Sequence, residues 1–241
     1  MAGLVLENPL SFEAHVRQAA KLMRDRQTSG SPSVRLMRHV CDLYERSVPE
    51  TSRAKIACAS GCAFCCHQPV RVSPPEAFFL ARFVAERSHS VGAIRAAAAK
   101  LEGQHDALPS RLKCPLLDHA NACSAYDFRP LTCHSHVSID VNECKTVYFQ
   151  LANGTTREPS AYRDLKQNCR LILEASLRLN SLPNFHYELN SALRTVLDTE
   201  NAEKRWLRGE NTFSHLPDVS PNPPDIEQIL ALIVEKIGPT L

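Results

Sequence analysis

Along most of the chain, apolar residues recur at helical intervals. Phe12, Val16, Ala19, Ala20 and Met23 fall at i, i+4, i+7, i+8 and i+11, and Met37, Val40, Cys41 and Tyr44 make a second face of the same kind. These two segments predict an amino-terminal helical layer. Ser73, Pro74 and Glu76 spell an N-cap, a first-turn proline and a capping-box partner, so a helix starts there and carries Ala77, Leu80, Ala81 and Val84 on one face. An alanine-rich helix follows near 91–105. Helical spacing returns with Leu165, Cys169, Ile172 and Leu179, and again with Leu189, Leu193 and Val196.

The pattern breaks after residue 106, where Pro109, Pro115 and Pro130 are interleaved with Cys114, Cys123 and Cys133. A structureless loop of this length needs something other than apolar packing to hold it, and metal ligation is the candidate. Val137, Ile139 and Val141 alternate, and residues 147–151 are apolar but for Gln150, so a small β-hairpin is predicted with Cys144 in its turn. The stretch from Gly209 to Pro224 is rich in Pro, Ser and Asn and reads as a linker. Beyond it, Asp225 is expected to cap a helix whose Ile226, Ile229, Leu230, Ile233 and Ile237 form an apolar stripe, which must dock on the body or on a protein partner. The expected fold is mainly α, with irregular cysteine-rich metal-binding loops in a helical domain and one small β-hairpin. It divides into a helical segment at 1–50, a cysteine-cluster domain at 51–182, and C-terminal helices at 183–241 with the Pro-rich linker at 209–224.

Composition narrows the function. The 241 residues include only 8 glycines, of which the closest two, Gly92 and Gly103, are eleven positions apart. No Gly-rich nucleotide loop and no GxSxG elbow can therefore be present. A net charge of +2 gives no electrostatic reason to expect nucleic acid. The amino terminus lacks a basic leader with an apolar core, and no run approaches a membrane span. A cytoplasmic protein is expected, and there thiols stay reduced and clustered cysteines bind metal rather than pair.

The chain has 10 cysteines, and four of them lie within nine residues as Cys58, Cys62, Cys65 and Cys66. This spacing brings several thiolates to one point with little loop-closure cost, which suits a soft metal ion or an iron–sulfur cluster. Gly61 allows a tight turn among them. A lone cysteine is most simply a buried packing residue, but that reading does not account for four at such spacing. Cys65 and Cys66 are adjacent, so both ligate one small ion only with strain. One sulfur for each of two neighbouring sites is easier, and the pair hints at two metals.

The second half of the constellation runs Cys114-Pro115-Leu116-Leu117, then Cys123, Tyr126, Arg129, Pro130 and Cys133. Together with Cys62, Cys65 and Cys66, these motifs resemble the YkgJ-like cysteine-cluster family of zinc- or iron-chelating proteins, with its CxxCxxCC-type opening, CPFL element and C-x-IY-x-x-RP-x-x-C element. The resemblance covers about residues 55–182. It departs at the first gap, where three residues separate Cys58 from Cys62, at Ala125 and at His134. It implies a metal site held by Cys58, Cys62, Cys65, Cys66, Cys114, Cys123 and Cys133, with Cys169 similar to the family's downstream cysteine at a helix start. Arg129 is expected to orient the loop. Cys41 then reads as core packing and Cys144 as a spare thiol. His67, His134 and His136 flank the motifs and read as solvent-facing or supporting groups, each beside a cysteine preferred as ligand.

Two kinds of function are consistent with these residues. One is a metal-binding protein whose thiolates hold zinc or an iron–sulfur cluster; four thiolates around zinc leave no open position, so such a site stabilises rather than catalyses. The alternative is an iron–sulfur-dependent modification enzyme. Cys58, Cys62 and Cys65 coincide with the CxxxCxΦC motif of radical SAM enzymes, although no barrel pattern or Gly-rich segment accompanies it. A protein methylase is the milder version, since a flagellin lysine methylase looks like a relative of the cysteine-cluster family. The partners expected are a metal ion and a protein at the C-terminal helix, with neither nucleic acid nor membrane.

Overall fold

The computed structural model describes residues 9–25, 28–102, 112–149, 156–221 and 223–241. Its helices in chain order are α1 (Pro9–Arg24), α2 (Pro32–Ser47), α3 (Glu50–Arg53), α4 (Pro74–Ala85), α5 (Ser88–Ala99), α6 (Leu131–His134), α7 (Val141–Phe149), α8 (Ser160–Arg178), α9 (Leu189–Asp198), α10 (Ala202–Trp206) and α11 (Pro224–Ile237). The one sheet among the described residues is a two-stranded antiparallel ribbon of β1 (Arg71–Val72) and β2 (Tyr187–Glu188), with Arg71 opposite Glu188 and Val72 opposite Tyr187. The fold is thus mainly α, and no β/α barrel is formed by the described residues.

The helical periods become packing faces. Phe12, Val16, Ala19, Ala20 and Met23 of α1 are buried, as are Met37, Val40, Cys41 and Tyr44 of α2. The Ser31 side chain caps α2 by accepting the Val34 N–H at 3.1 Å. The Ser73–Glu76 capping box forms as its spacing requires and starts α4, which is buried on nearly every side because α2, α5 and α9 all pack on it. Trp206 and Phe213 close the far end of this core against Phe78, at ring separations of 5.6 and 5.8 Å. At the other flank Phe79 and Phe83 meet Phe128, 5.2 and 5.4 Å away, which ties the cysteine-rich loops to the helical body.

Three expectations change. The hairpin predicted over 137–151 does not form: Val141–Phe149 is helical, and 150–155 lie outside the described residues. Its start is set locally, because the Asp140 side chain accepts the Asn142 N–H at 2.8 Å while the Asp140 N–H donates to Ser138 Oγ at 3.1 Å. This cap overrides the short alternation of Val137, Ile139 and Val141. The stretch after Gly209 has no long helix, yet it is no loose tether: Phe213 is fully buried and stacks on Tyr187 at 4.9 Å, and Val219 is buried too. Helix α11 begins after Pro223 rather than on an Asp225 cap. Its stripe docks on α8, burying Leu230 and Ile237 and leaving Ile229 and Leu232 exposed. No helix among the described residues is long and apolar enough to cross a membrane.

Candidate metal centre

The cysteine-rich segments are irregular, but their backbones are fastened to one another. The Ala57 N–H donates to the Ser138 carbonyl at 2.8 Å, placing Cys58 beside the irregular stretch that precedes α7. Gly61 adopts φ +82, a left-handed conformation that favours glycine, in the turn closed by the Cys62 N–H on the Ala59 carbonyl at 3.0 Å. Phe64–His67 then form one 3-10 turn that carries Cys65 and Cys66. The Cys114 N–H donates to the Cys66 carbonyl at 2.8 Å and joins the two motifs directly.

From Cys114 to Cys123 the chain folds back on itself. An antiparallel bridge pairs Leu117 with Cys123, the Ser124 N–H donates to the Leu116 carbonyl at 2.8 Å, and Asp118 Oδ1 accepts the N–H groups of Ala120 and Ala122 at 2.8 Å each. Cys133 sits on the single turn α6, whose first N–H, that of Leu131, donates to Glu76 Oε1 at 2.8 Å. Arg129 behaves as an orienting residue: its Nε donates to the Tyr126 carbonyl at 2.9 Å and its guanidinium lies 3.6 Å over the Tyr126 ring.

Seven of the eight cysteines named from the sequence lie in the neighbourhood of Cys65, near enough to interact electrostatically but not grouped at ligating distance. Cys62, Cys58 and Cys66 approach it from its own segment, and Cys114, Cys123 and Cys133 from the second. The adjacent thiols of Cys65 and Cys66 interact with each other. Cys169 lies elsewhere. It is buried in the helical core on α8, its neighbouring thiol is that of Cys41, and burial pushes its own thiol up to about 12. All ten cysteines are free thiols.

The flanking histidines meet other groups or solvent. His67 Nδ1 is 3.0 Å from the Ala63 carbonyl, His134 Nε2 is 2.9 Å from Glu45 Oε1, and His136 is exposed. Sequence reasoning passed over Cys144, which the structure sets beside Cys62 and Cys65. The signal was present in the i, i+4 pairing of Cys144 with Tyr148, but it has meaning only once α7 is known to be a helix.

Two opposed effects act on several of the sulfurs in the metal-free chain. Backbone N–H groups point at three of them: Ser138 to Cys58, Leu116 to Cys114 and Ala125 to Cys123. Such donors favour a thiolate. Burial opposes them and pushes the thiols of Cys58, Cys123 and Cys133 upward, and that of Cys114 up to about 11. Cys65 is raised first by its interaction with Cys66 and then by burial. A bound cation reverses this balance, because it takes the deprotonated ligand and neutralises its charge. Soft thiols backed by N–H donors therefore fit zinc or iron. Among the described residues no three His, Cys, Asp or Glu side chains are close enough to hold an ion as they stand.

The same shifts predict a pH dependence. A thiol raised by folding stabilises the folded chain fully below its ordinary value and loses that contribution as pH rises towards its folded value. For Cys114 this window runs from 9.0 to about 11. The metal-free protein should therefore lose denaturation midpoint across that range relative to the zinc-loaded protein, whose thiolates have already shed their protons. Parallel urea titrations of the two forms at pH 8, 9, 10 and 11 measure the difference, and parallel curves would refute it.

Residues 57–170 match the CxxCxxCC family model, described as a "putative zinc- or iron-chelating domain". That segment is similar to the family over a little under half of the chain, and zinc or iron chelation is the class of function the family description gives. No curated protein and no solved structure gives a significant match.

Proposed function

We propose that the chain holds zinc or iron through the thiolates of Cys58, Cys62, Cys65, Cys66, Cys114, Cys123 and Cys133, and that the bound metal braces the loops on either side of α4 and α5. The observation that carries this reading is the convergence on Cys65 of thiols from two segments nearly fifty residues apart, locked by the Cys114 N–H on the Cys66 carbonyl. When bound, the metal supplies positive charge and a cross-link. The protein's residues supply the thiolates, the N–H donors of Leu116, Ala125 and Ser138, and the guanidinium of Arg129 near Cys123 and Cys65. A site saturated by thiolates leaves no position for a substrate, so its role is structural or in metal handling.

Anaerobic purification followed by analysis for zinc, iron and acid-labile sulfide tests the proposal. Stoichiometric zinc or iron is expected. Sulfide together with visible charge-transfer bands would assign an iron–sulfur cluster, and their absence with zinc present a mononuclear thiolate site. A chain that neither retains nor takes up either metal would refute the proposal.

A further inference from the structure

Cys144 lies outside both cysteine motifs, yet two independent features aim it at them. It stands one turn before Tyr148 on α7, and residues at i and i+4 share a helix face. The Tyr148 ring packs on His67 at 4.7 Å and on Phe64 at 5.8 Å, the two ends of the 3-10 turn that carries Cys65 and Cys66. The face bearing Cys144 is therefore turned towards that pair. Ser138 provides the second restraint. Its N–H donates to the Cys58 thiol, its hydroxyl is hydrogen-bonded with the Cys144 thiol, and its carbonyl accepts the Ala57 N–H at 2.8 Å. One residue thus sets two sulfurs side by side.

The thiols then sort into two groups. Cys58 has the thiols of Cys62, Cys65 and Cys144 within electrostatic reach, whereas Cys133 has those of Cys114, Cys65 and Cys123, and in neither group are three side chains close enough to hold an ion as they stand. Cys65 appears in both groups, with Cys66 beside it. Zinc takes four thiolates, and two neighbouring residues ligate one small ion only with strain. Each group of three therefore completes its set with one member of the Cys65–Cys66 pair.

Resting on the metal-holding function proposed above, we infer that Cys144 is a metal ligand and that Cys58, Cys62 and Cys144 form a second metal position beside that of Cys114, Cys123 and Cys133, the two positions meeting at Cys65 and Cys66. Cys144 takes the eighth place to which the family resemblance pointed Cys169. On loading, each thiol gives up its proton to solvent as its sulfur bonds the dication, and no electrons are transferred.

The test uses the full chain, stripped of metal and reloaded anaerobically with Zn2+. Two zinc ions per wild-type chain are expected, one in Cys144→Ser, one in Cys123→Ser, and two in Cys169→Ser. A Cys144→Ser chain that still binds two ions, or a wild-type chain saturating at one, would overturn the inference while leaving the proposed function intact. A wild-type chain that takes up no zinc, and held no iron when isolated, would remove the proposed function itself. A second measurement needs no variant: alkylation of the wild-type chain, mapped by mass spectrometry, should slow at least tenfold at Cys144 on zinc loading. Equal rates with and without zinc would overturn the assignment even if Cys144→Ser failed to fold.

Discussion

Chelating the metal is expected to unfold residues 56–68 and 112–149 while the helical body persists. Structural zinc sites bind with apparent free energies of about 10–16 kcal/mol, comparable with or larger than the ~5–15 kcal/mol that holds a typical domain together. The loops in question have little else. Their regular structure is limited to a 3-10 turn at Phe64–His67, another at Tyr126–Phe128, the single turn α6 and α7, which buries no residue. Leu116, Ala125, Leu131 and Val137 reach the core, and Ile56, Cys114, Cys123 and Phe128 pack against its edge, but these are scattered anchors rather than the face of a helix. In contrast, α1, α2, α4, α8 and α9 pack directly on one another and share a continuous core from Phe12 to Ile237. Hydrogen exchange read by mass spectrometry should therefore show protection lost in the loops after chelation and retained in α4 and α8. Unchanged exchange in the loops would show that the metal contributes nothing to their stability.

Substituting Glu76 by alanine should cost about 3–5 kcal/mol and loosen the metal centre with it. This side chain is 3% exposed and makes three short hydrogen bonds. Its Oε2 accepts the Ser73 N–H and hydroxyl, both at 2.7 Å, and its Oε1 accepts the Leu131 N–H at 2.8 Å. The first two bonds cap α4, and the third fixes the start of α6, two residues before Cys133. Alanine leaves all three donors buried without a partner. Glu76→Gln keeps the acceptor for Leu131 and should recover about half of the loss. The two effects separate by measurement: denaturant titration reads the stability, and competition with a chromophoric zinc chelator reads an affinity expected to fall at least tenfold in Glu76→Ala. An alanine variant with wild-type stability and zinc affinity would show that Glu76 is neither cap nor support.

The capping box illustrates what the sequence makes legible. Ser73, Pro74 and Glu76 act within one turn, so their spacing suffices to predict the helix start. The other donor to Glu76 was invisible, because the Leu131 N–H is fifty-five residues away and only the fold brings it near. The same contrast separates the two halves of the centre. Cys58, Cys62, Cys65 and Cys66 declare themselves by local spacing, whereas Cys144 was obscured by an alternation of Val137, Ile139 and Val141 that mimics a strand. The Asp140 cap is worth more than three alternating residues with no partner strand, since a helix repays its cap at every following residue.

Cys169 shows the converse. A residue that follows Asn168 on an apolar helical face can serve as ligand or as core, and helical period does not choose between the two. In the structure α8 is the helix against which α1, α2 and α11 lie, so its face is turned into the body and Cys169 is buried with it. The sequence alone determined the helical class, the start of α4, the two cysteine motifs and the soft-metal chemistry of their thiols, because each depends on neighbours a few residues apart. Only the tertiary structure decided which distant thiols meet, because that depends on the direction in which each helix presents its face.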